Sequence, residues 1–201
     1  MTEFQESIVA LTAIRNSIER AMLCLYSVEG VHLSGRQERL NDPFLVFTLQ
    51  NYIQILLCSF LEEWQRFSSF AKKDDTVKET ARIVLPAIDR FKKWPGLYKI
   101  RSSMLAHSPR DKGRSIMFPW VAFGKLRCPT TLEETILLAM CALKSIDYTK
   151  ERYKVEQTEA EKEIFKMDRA INIQGISNTK ELEFFFYEIQ KQIEQNKLKA
   201  R

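Results

Sequence analysis

The sequence predicts an all-α protein, an up-and-down helical bundle with an appended C-terminal helix. Three observations support this prediction. Apolar residues recur at three- and four-residue steps over several long stretches. The 201 residues include only six glycines and six prolines, too few for the turns of many short strands. A hydrophobic content of 45% supplies a core, and we expect a single domain over residues 1–201 with its core at about 42–155.

Two predicted helices occupy the N-terminal third of the chain. Residues 3–29 carry apolar side chains at helical spacing and form the first. Asp42-Pro43 is a typical helix start, an N-cap acceptor followed by proline at the first helical position, and the second helix continues to about Lys73. Because this second helix is apolar on more than one face, we expect it to be central to the bundle or shared between protomers.

A third helix and a short fourth helix are predicted in the middle of the chain. The dipeptide Asp75-Thr76, together with Glu79, has the pattern of a capping box and opens the third helix. The short fourth helix is expected over residues 97–108, because Pro109 disfavours helical geometry in the residue before it.

The C-terminal half contains an irregular insert and two further helices. Residues 115–129 are the least helical part, and a packed flap, a short hairpin or a dimer contact are all compatible with their apolar side chains. A capping box at Thr131 and Glu134, or one residue earlier, opens a long helix that we expect to continue into the charged stretch 151–166. The appended helix is expected over residues 178–200.

The positive charge of the chain is concentrated in one segment. The formal net charge is +5, yet residues 89–114 alone, with eight basic and two acidic side chains, carry +6 and the remainder carries −1. A localised basic field attracts phosphate polymers or acidic partners. The alternative is a basic face that is merely solvated.

Several functional classes are excluded by what the sequence lacks. The four cysteines form no metal-binding cluster, so reduced thiols in a cytoplasmic protein without a metal or other cofactor are expected. No signal peptide, membrane span, glycine-rich phosphate loop or GxSxG motif is apparent. The paired acids Glu62-Glu63 and Glu133-Glu134 point in different directions on a helix, which favours solvated faces or capping over catalysis.

Arg101 and His107 lie six positions apart in the segment 99–114, KIRSSMLAHSPRDKGR. Imidazole can transfer a proton near neutral pH, and guanidinium can hold a phosphoryl group through paired donors. Since RNA carries its own nucleophile in the 2′-OH, such a pair could cleave RNA without a metal. On a straight helix the two residues are roughly 9 Å apart along the axis and about 120° apart around it, so convergence needs a distortion before Pro109 or a second protomer.

The alternative interpretation of this pair is structural. In that case His107 would bond to a backbone carbonyl at the helix end, and Arg101 would form a surface salt bridge. The position of His107 near a helix C-terminus favours its protonated form under either interpretation.

The predicted helix order around Ile100-Arg101 and Ala106-His107 resembles the HEPN superfamily, whose hallmark is an arginine followed a few residues later by a histidine. The resemblance implies a bundle that dimerises and brings two motifs into a shared cleft. For active members it implies metal-independent endoribonuclease activity in toxin–antitoxin or phage-defence systems. Carried over by position, Arg101 would stabilise the scissile phosphate and His107 would transfer a proton.

One position departs from the pattern of active HEPN members. The residue after the arginine is commonly Asn, Asp or His, whereas here it is Ser102, a shorter side chain with no amide or charge. This departure favours the alternative of a non-catalytic module that binds a nucleic acid, a nucleotide or a partner protein such as an antitoxin. Basic side chains flanking the motif are the predicted RNA-phosphate contacts: Lys99, Arg110, Lys112 and Arg114.

Overall fold

A computed structural model describes residues 1–29, 43–98 and 127–168, together with 180, 184, 187–189 and 191. The chain forms two compact units, residues 1–162 and 163–201. Every regular element within these described ranges is a helix, which confirms the all-α prediction.

Five α-helices and one short 3₁₀ turn make up the described structure. The prediction of a helix over 3–29 and of a second helix starting at Pro43 is confirmed. Leu97 and Tyr98 are helical, while the rest of the predicted fourth helix lies outside the described residues. The elements are α1 (Glu3–Glu29), α2 (Pro43–Ser69), a 3₁₀ turn (Phe70–Lys72), α3 (Asp75–Phe91), α4 (Leu132–Arg152) and α5 (Lys154–Asp168).

The N-cap of α3 is Asp74, so the predicted cap at Asp75-Thr76 is wrong by one or two residues. Asp74 has extended backbone angles, and its carboxylate accepts from the backbone N–H of Thr76 at 2.8 Å and of Val77 at 3.3 Å. In this register Val77 is fully buried in the core. Glu79 takes no part in the cap and instead pairs with an arginine on α4.

The four helices of the bundle converge on one aromatic cluster. Phe4 near the start of α1 lies 5.8 Å from Phe67 near the end of α2, measured between ring centroids. Tyr153, directly after α4, lies 5.2 Å from Phe4 and 5.8 Å from Phe67. Its hydroxyl is 3.3 Å from that of Thr80, in the first half of α3. Since starts and ends of successive helices alternate here, the bundle has the predicted up-and-down arrangement.

The same cluster explains why the chain breaks at Tyr153. The sequence predicts one helix continuing into 151–166, whereas the structure has two helices that meet at Tyr153. Tyr153 has φ −112° and ψ 38°, outside the helical range. Burial of its ring against α1 and α2 fixes the residue in this conformation, and no glycine or proline marks the break in the sequence.

Helix α2 lies in the middle of the bundle and packs against α1, α3 and α4. Its stretch Phe44–Lys72 is long and apolar enough to cross a membrane by length and composition, although no uninterrupted apolar run in the sequence reaches that length. One such helix is weak evidence for a membrane span, and Leu57, Phe60 and Phe67 on it are completely buried in the bundle.

Candidate functional site

The predicted catalytic residues Arg101, Ser102 and His107 lie outside the described residues, and so does the insert up to residue 126. Their roles therefore stay predictions. The same holds for the predicted phosphate-binding residues Lys99, Arg110, Lys112 and Arg114. The structure does describe the two places where the bundle joins this part of the chain, and these define the frame of the candidate site.

The first junction is the turn Trp94–Tyr98, which follows α3. The backbone N–H of Trp94 donates to the carbonyl of Phe91 at 2.9 Å, and that of Leu97 donates to the carbonyl of Trp94 at 3.1 Å. Phe91 and Leu97 are both buried in the core. The chain is therefore fixed to the bundle four residues before Arg101.

The second junction is Arg127–Pro129, which precedes α4. Arg127 has φ 58°, in the left-handed region that glycine favours. Cys128 is buried, and the carbonyl of Pro129 accepts a hydrogen bond from Gln54 Nε2 at 2.8 Å. Neighbouring contacts thus hold the second junction in an unfavourable backbone conformation.

Glu134, in the first turn of α4, accepts hydrogen bonds both from the end of α3 and from the first junction. Its Oε1 accepts from Arg90 Nε and from Trp94 Nε1, each at 2.8 Å, and its Oε2 pairs with the terminal nitrogen of Arg90. The Glu134 side chain is only 13% exposed. The prediction that Glu133-Glu134 are solvated or capping residues is therefore wrong for the Glu134 carboxylate, although its backbone N–H does bond to the N-cap Thr131.

A second polar cluster ties the other junction to the same turn of α4. The hydroxyl of Thr135 accepts from Gln50 Nε2 and from Gln54 Nε2, each at 3.3 Å, and donates to the carbonyl of Thr131 at 3.0 Å. Gln54 is completely buried, and its Oε1 has no hydrogen-bond partner in the described part of the chain. The sequence signal for this cluster is the pair of glutamines spaced four residues apart within the most apolar part of α2.

The basic residues just before the first junction differ in whether they pair with a carboxylate. Arg90 contributes to the +6 segment in the sequence, but the Glu134 carboxylate neutralises it. Lys92 pairs with Asp89 at 2.6 Å, whereas Lys93 is exposed. Of the three basic residues of the +6 segment that the structure describes, Arg90 and Lys92 are therefore paired with carboxylates.

The pKa of Glu134 is lowered from its ordinary value, chiefly by the hydrogen bond from Arg90 and also by that from Trp94. A carboxylate with a lowered pKa stabilises the folded chain above its ordinary pKa of 4.5, and this contribution disappears as pH falls through the folded value. The urea midpoint of the parent should therefore exceed that of Glu134→Gln at about pH 7, and the two should converge under acid. A gap that stays constant with pH would contradict this expectation.

Other reactive side chains in the described ranges do not form a site. Burial raises the pKa of the Cys128 thiol to about 11, so it is a neutral thiol rather than a nucleophile near pH 7. Those ranges contain no group of three His, Cys, Asp or Glu side chains that could hold a metal ion.

A groove of about 430 Å³ lies along the first half of α2, and its lining is mostly aromatic and apolar. None of its side chains is suited to transfer a proton near neutral pH, so it is not a candidate active site. The lining residues are Phe44, Phe47, Thr48, Asn51, Tyr52 and Ile55.

Comparison with models of protein families, with curated proteins and with solved structures found no match in any of the three.

Proposed function

We propose that this chain is a metal-independent endoribonuclease of the HEPN type that acts as a homodimer in the cytoplasm. The observation that carries the proposal is the Arg101 and His107 pair within the segment that holds the positive charge of the chain. The fixed junctions Trp94–Tyr98 and Arg127–Pro129 support it, because reactive groups need a rigid scaffold to be positioned.

The proposed reaction is an internal transfer of the RNA phosphate. The 2′-oxygen attacks the adjacent phosphorus and gives its proton to the neutral histidine of one motif. The bond from phosphorus to the 5′-oxygen breaks, and the 5′-oxygen takes a proton from the protonated histidine of the other motif. His107 transfers a proton, and the helix end that the sequence predicts beside it would favour the protonated form and the donor role. Arg101 stabilises the negative charge on the phosphoryl oxygens through paired N–H donors. The products are a 2′,3′-cyclic phosphate and a 5′-hydroxyl.

A second protomer would supply the convergence on one phosphate that Arg101 and His107 of a single chain lack. Six residues on a helix separate Arg101 and His107 by roughly 9 Å along the axis, so one straight helix does not aim both at one phosphate. A two-fold partner supplies a second arginine and a second histidine to the same cleft. The biological setting that the HEPN resemblance suggests is a toxin–antitoxin pair or phage defence, with an antitoxin as partner.

The test is a cleavage assay with labelled RNA in the presence of EDTA. We expect cleavage that leaves 2′,3′-cyclic phosphate ends and that stops when the RNA carries 2′-O-methyl groups, since methylation removes the nucleophile. Cleavage of 2′-O-methyl RNA, or the absence of cleavage from a panel of unrelated RNAs, would contradict the proposal.

Ser102 favours a second candidate, a non-catalytic module of the same type that binds RNA. A serine at this position offers one hydroxyl where active HEPN members commonly have an amide, a carboxylate or an imidazole. This candidate predicts RNA binding that weakens steeply with salt and gives no cleavage. A chain whose basic segment is merely solvated would show no RNA affinity even at low salt.

A further inference from the structure

We infer that the exposed face of α4 pairs with the same face of a second copy of this chain, in antiparallel orientation. A role of this pairing in RNA cleavage rests on the proposed function, which includes a homodimer. The pairing itself does not rest on RNA cleavage, because self-association can be measured without RNA. The inference starts from the residues that α4 exposes.

Helix α4 exposes one narrow stripe along its length. The exposed residues within Leu132–Arg152 are Glu133, Leu137, Met140, Lys144 and Glu151. Their spacing keeps them on one side of the helix, opposite to the buried side that packs into the bundle. The first four recur at steps of four, three and four residues, which is the spacing of a coiled-coil seam.

The centre of this stripe is apolar, although the solvent face of a bundle helix is ordinarily polar. Leu137 is 40% exposed and Met140 is 50% exposed. Ile83 on α3 is 43% exposed and lies at helical spacing between Glu79 and Arg90, which both pair with α4. Ile83 is therefore on the edge of α3 next to α4 and adds to the same apolar surface, which contact with another chain would remove from water.

The charges that flank the apolar centre make the stripe complementary to itself. Glu133 lies four residues before Leu137, and Lys144 lies four residues after Met140. A two-fold axis midway between Leu137 and Met140 therefore sets each of them opposite the other in the second copy. The same axis sets Glu133 opposite Lys144 of the second copy at both ends of the contact.

This symmetry favours a second copy as the occupant and fixes its orientation. Within the described residues, Glu133 and Lys144 form no ion pair, so both charges are open to a partner chain. Parallel pairing in register would set each charge opposite its own kind, whereas antiparallel pairing matches both. It also places the first turn of α4, which contacts both junctions, within about 10 Å of the two-fold axis along the helix.

The experiment measures the dissociation constant of the dimer of the full chain by analytical ultracentrifugation. We expect the parent to dimerise. Glu133→Lys sets two positive charges opposite each other at both ends of the contact, so the dissociation constant should rise about tenfold. The double variant Glu133→Lys, Lys144→Glu exchanges the charges and should return the constant to within about threefold of the parent.

The matched control is Glu151→Lys, the same substitution on the same stripe. Because α4 begins at Leu132, the overlap of the two helices ends near Ser145, which lies as far past the axis as Leu132 lies before it. Glu151 is beyond this overlap, so its reversal should leave the dissociation constant within about twofold of the parent. Circular dichroism verifies that each variant is folded.

A parent that stays monomeric at about 100 μM would overturn the inference and indicate that a different protein covers this face. A double variant that dimerises no better than Glu133→Lys would overturn it as well, because the dimer contact would then lie elsewhere. A parent that dimerises but does not cleave RNA would contradict the proposed function alone. If the parent cleaves RNA, Glu133→Lys should cleave more slowly than the double variant at concentrations near the dissociation constant.

Discussion

Replacing His107 by alanine is expected to slow RNA cleavage by about 10²- to 10⁴-fold, because the reaction loses its proton-transfer group. The chain offers a direct control in His32, its only other histidine, which lies in a polar link with no arginine at the spacing of the motif. His32→Ala should cleave at the parental rate. Initial rates on labelled RNA in EDTA, with product ends identified, measure both variants.

The same assay separates catalysis from contamination and from binding. If His107→Ala cleaves as fast as the parent, His107 is not catalytic and the activity comes from another residue or another protein. RNA binding measured in parallel should be nearly unchanged in His107→Ala, since the basic residues of the segment remain. Loss of binding together with loss of cleavage would instead indicate that the variant disturbs the segment as a whole.

Replacing Phe67 by alanine should destabilise the bundle by about 3–5 kcal/mol. Phe67 is completely buried, with its ring centroid 5.3 Å from that of Trp64 and 5.8 Å from that of Tyr153. The substitution removes the ring at which α1, α2 and the end of α4 meet, and neighbouring helices can fill the cavity only partly. The free energy of unfolding in urea, followed by far-UV circular dichroism, measures this loss.

The control for Phe67→Ala is Leu23→Ala on α1. Leu23 is 57% exposed and alanine is at least as good a helix former, so a change within about 0.5 kcal/mol is expected. Equal effects of the two substitutions would show that Phe67 is not the centre of the core. Below its unfolding transition Phe67→Ala should retain RNA cleavage, because Phe67 lies at the bundle end opposite to Glu134.

Local signals were sufficient to predict most helices. The apolar spacing of α1, the Asp42-Pro43 start of α2 and the Thr131 cap of α4 act within a few residues, so they can be read without knowledge of distant neighbours. The start of α3 was predicted less well, because the capping pattern at Asp75-Thr76 lies just after the observed N-cap Asp74. The observed cap is made by the Asp74 carboxylate, which accepts from the backbone N–H of Thr76 and of Val77.

The candidate site also has one part that the sequence predicts and another part that only the structure shows. Arg101, His107 and the concentration of positive charge are visible in the sequence because they lie within one short segment. The partners of Glu134 cannot be predicted from the sequence, since Arg90 and Trp94 precede it by 44 and 40 residues. An acidic residue in the first turn of a helix is explained well enough by local effects, and nothing in the sequence distinguishes it from its exposed neighbour Glu133.

The sequence by itself determined the all-α class, the starts of α1, α2 and α4 and the segment on which the proposed function depends. Only the tertiary structure decided the break at Tyr153 and the bonding of Glu134. The physical reason is the range of the interactions involved. Helix periodicity and capping join residues within one or two turns, whereas aromatic packing and the Arg90–Glu134–Trp94 contacts join residues that only the folded bundle brings together.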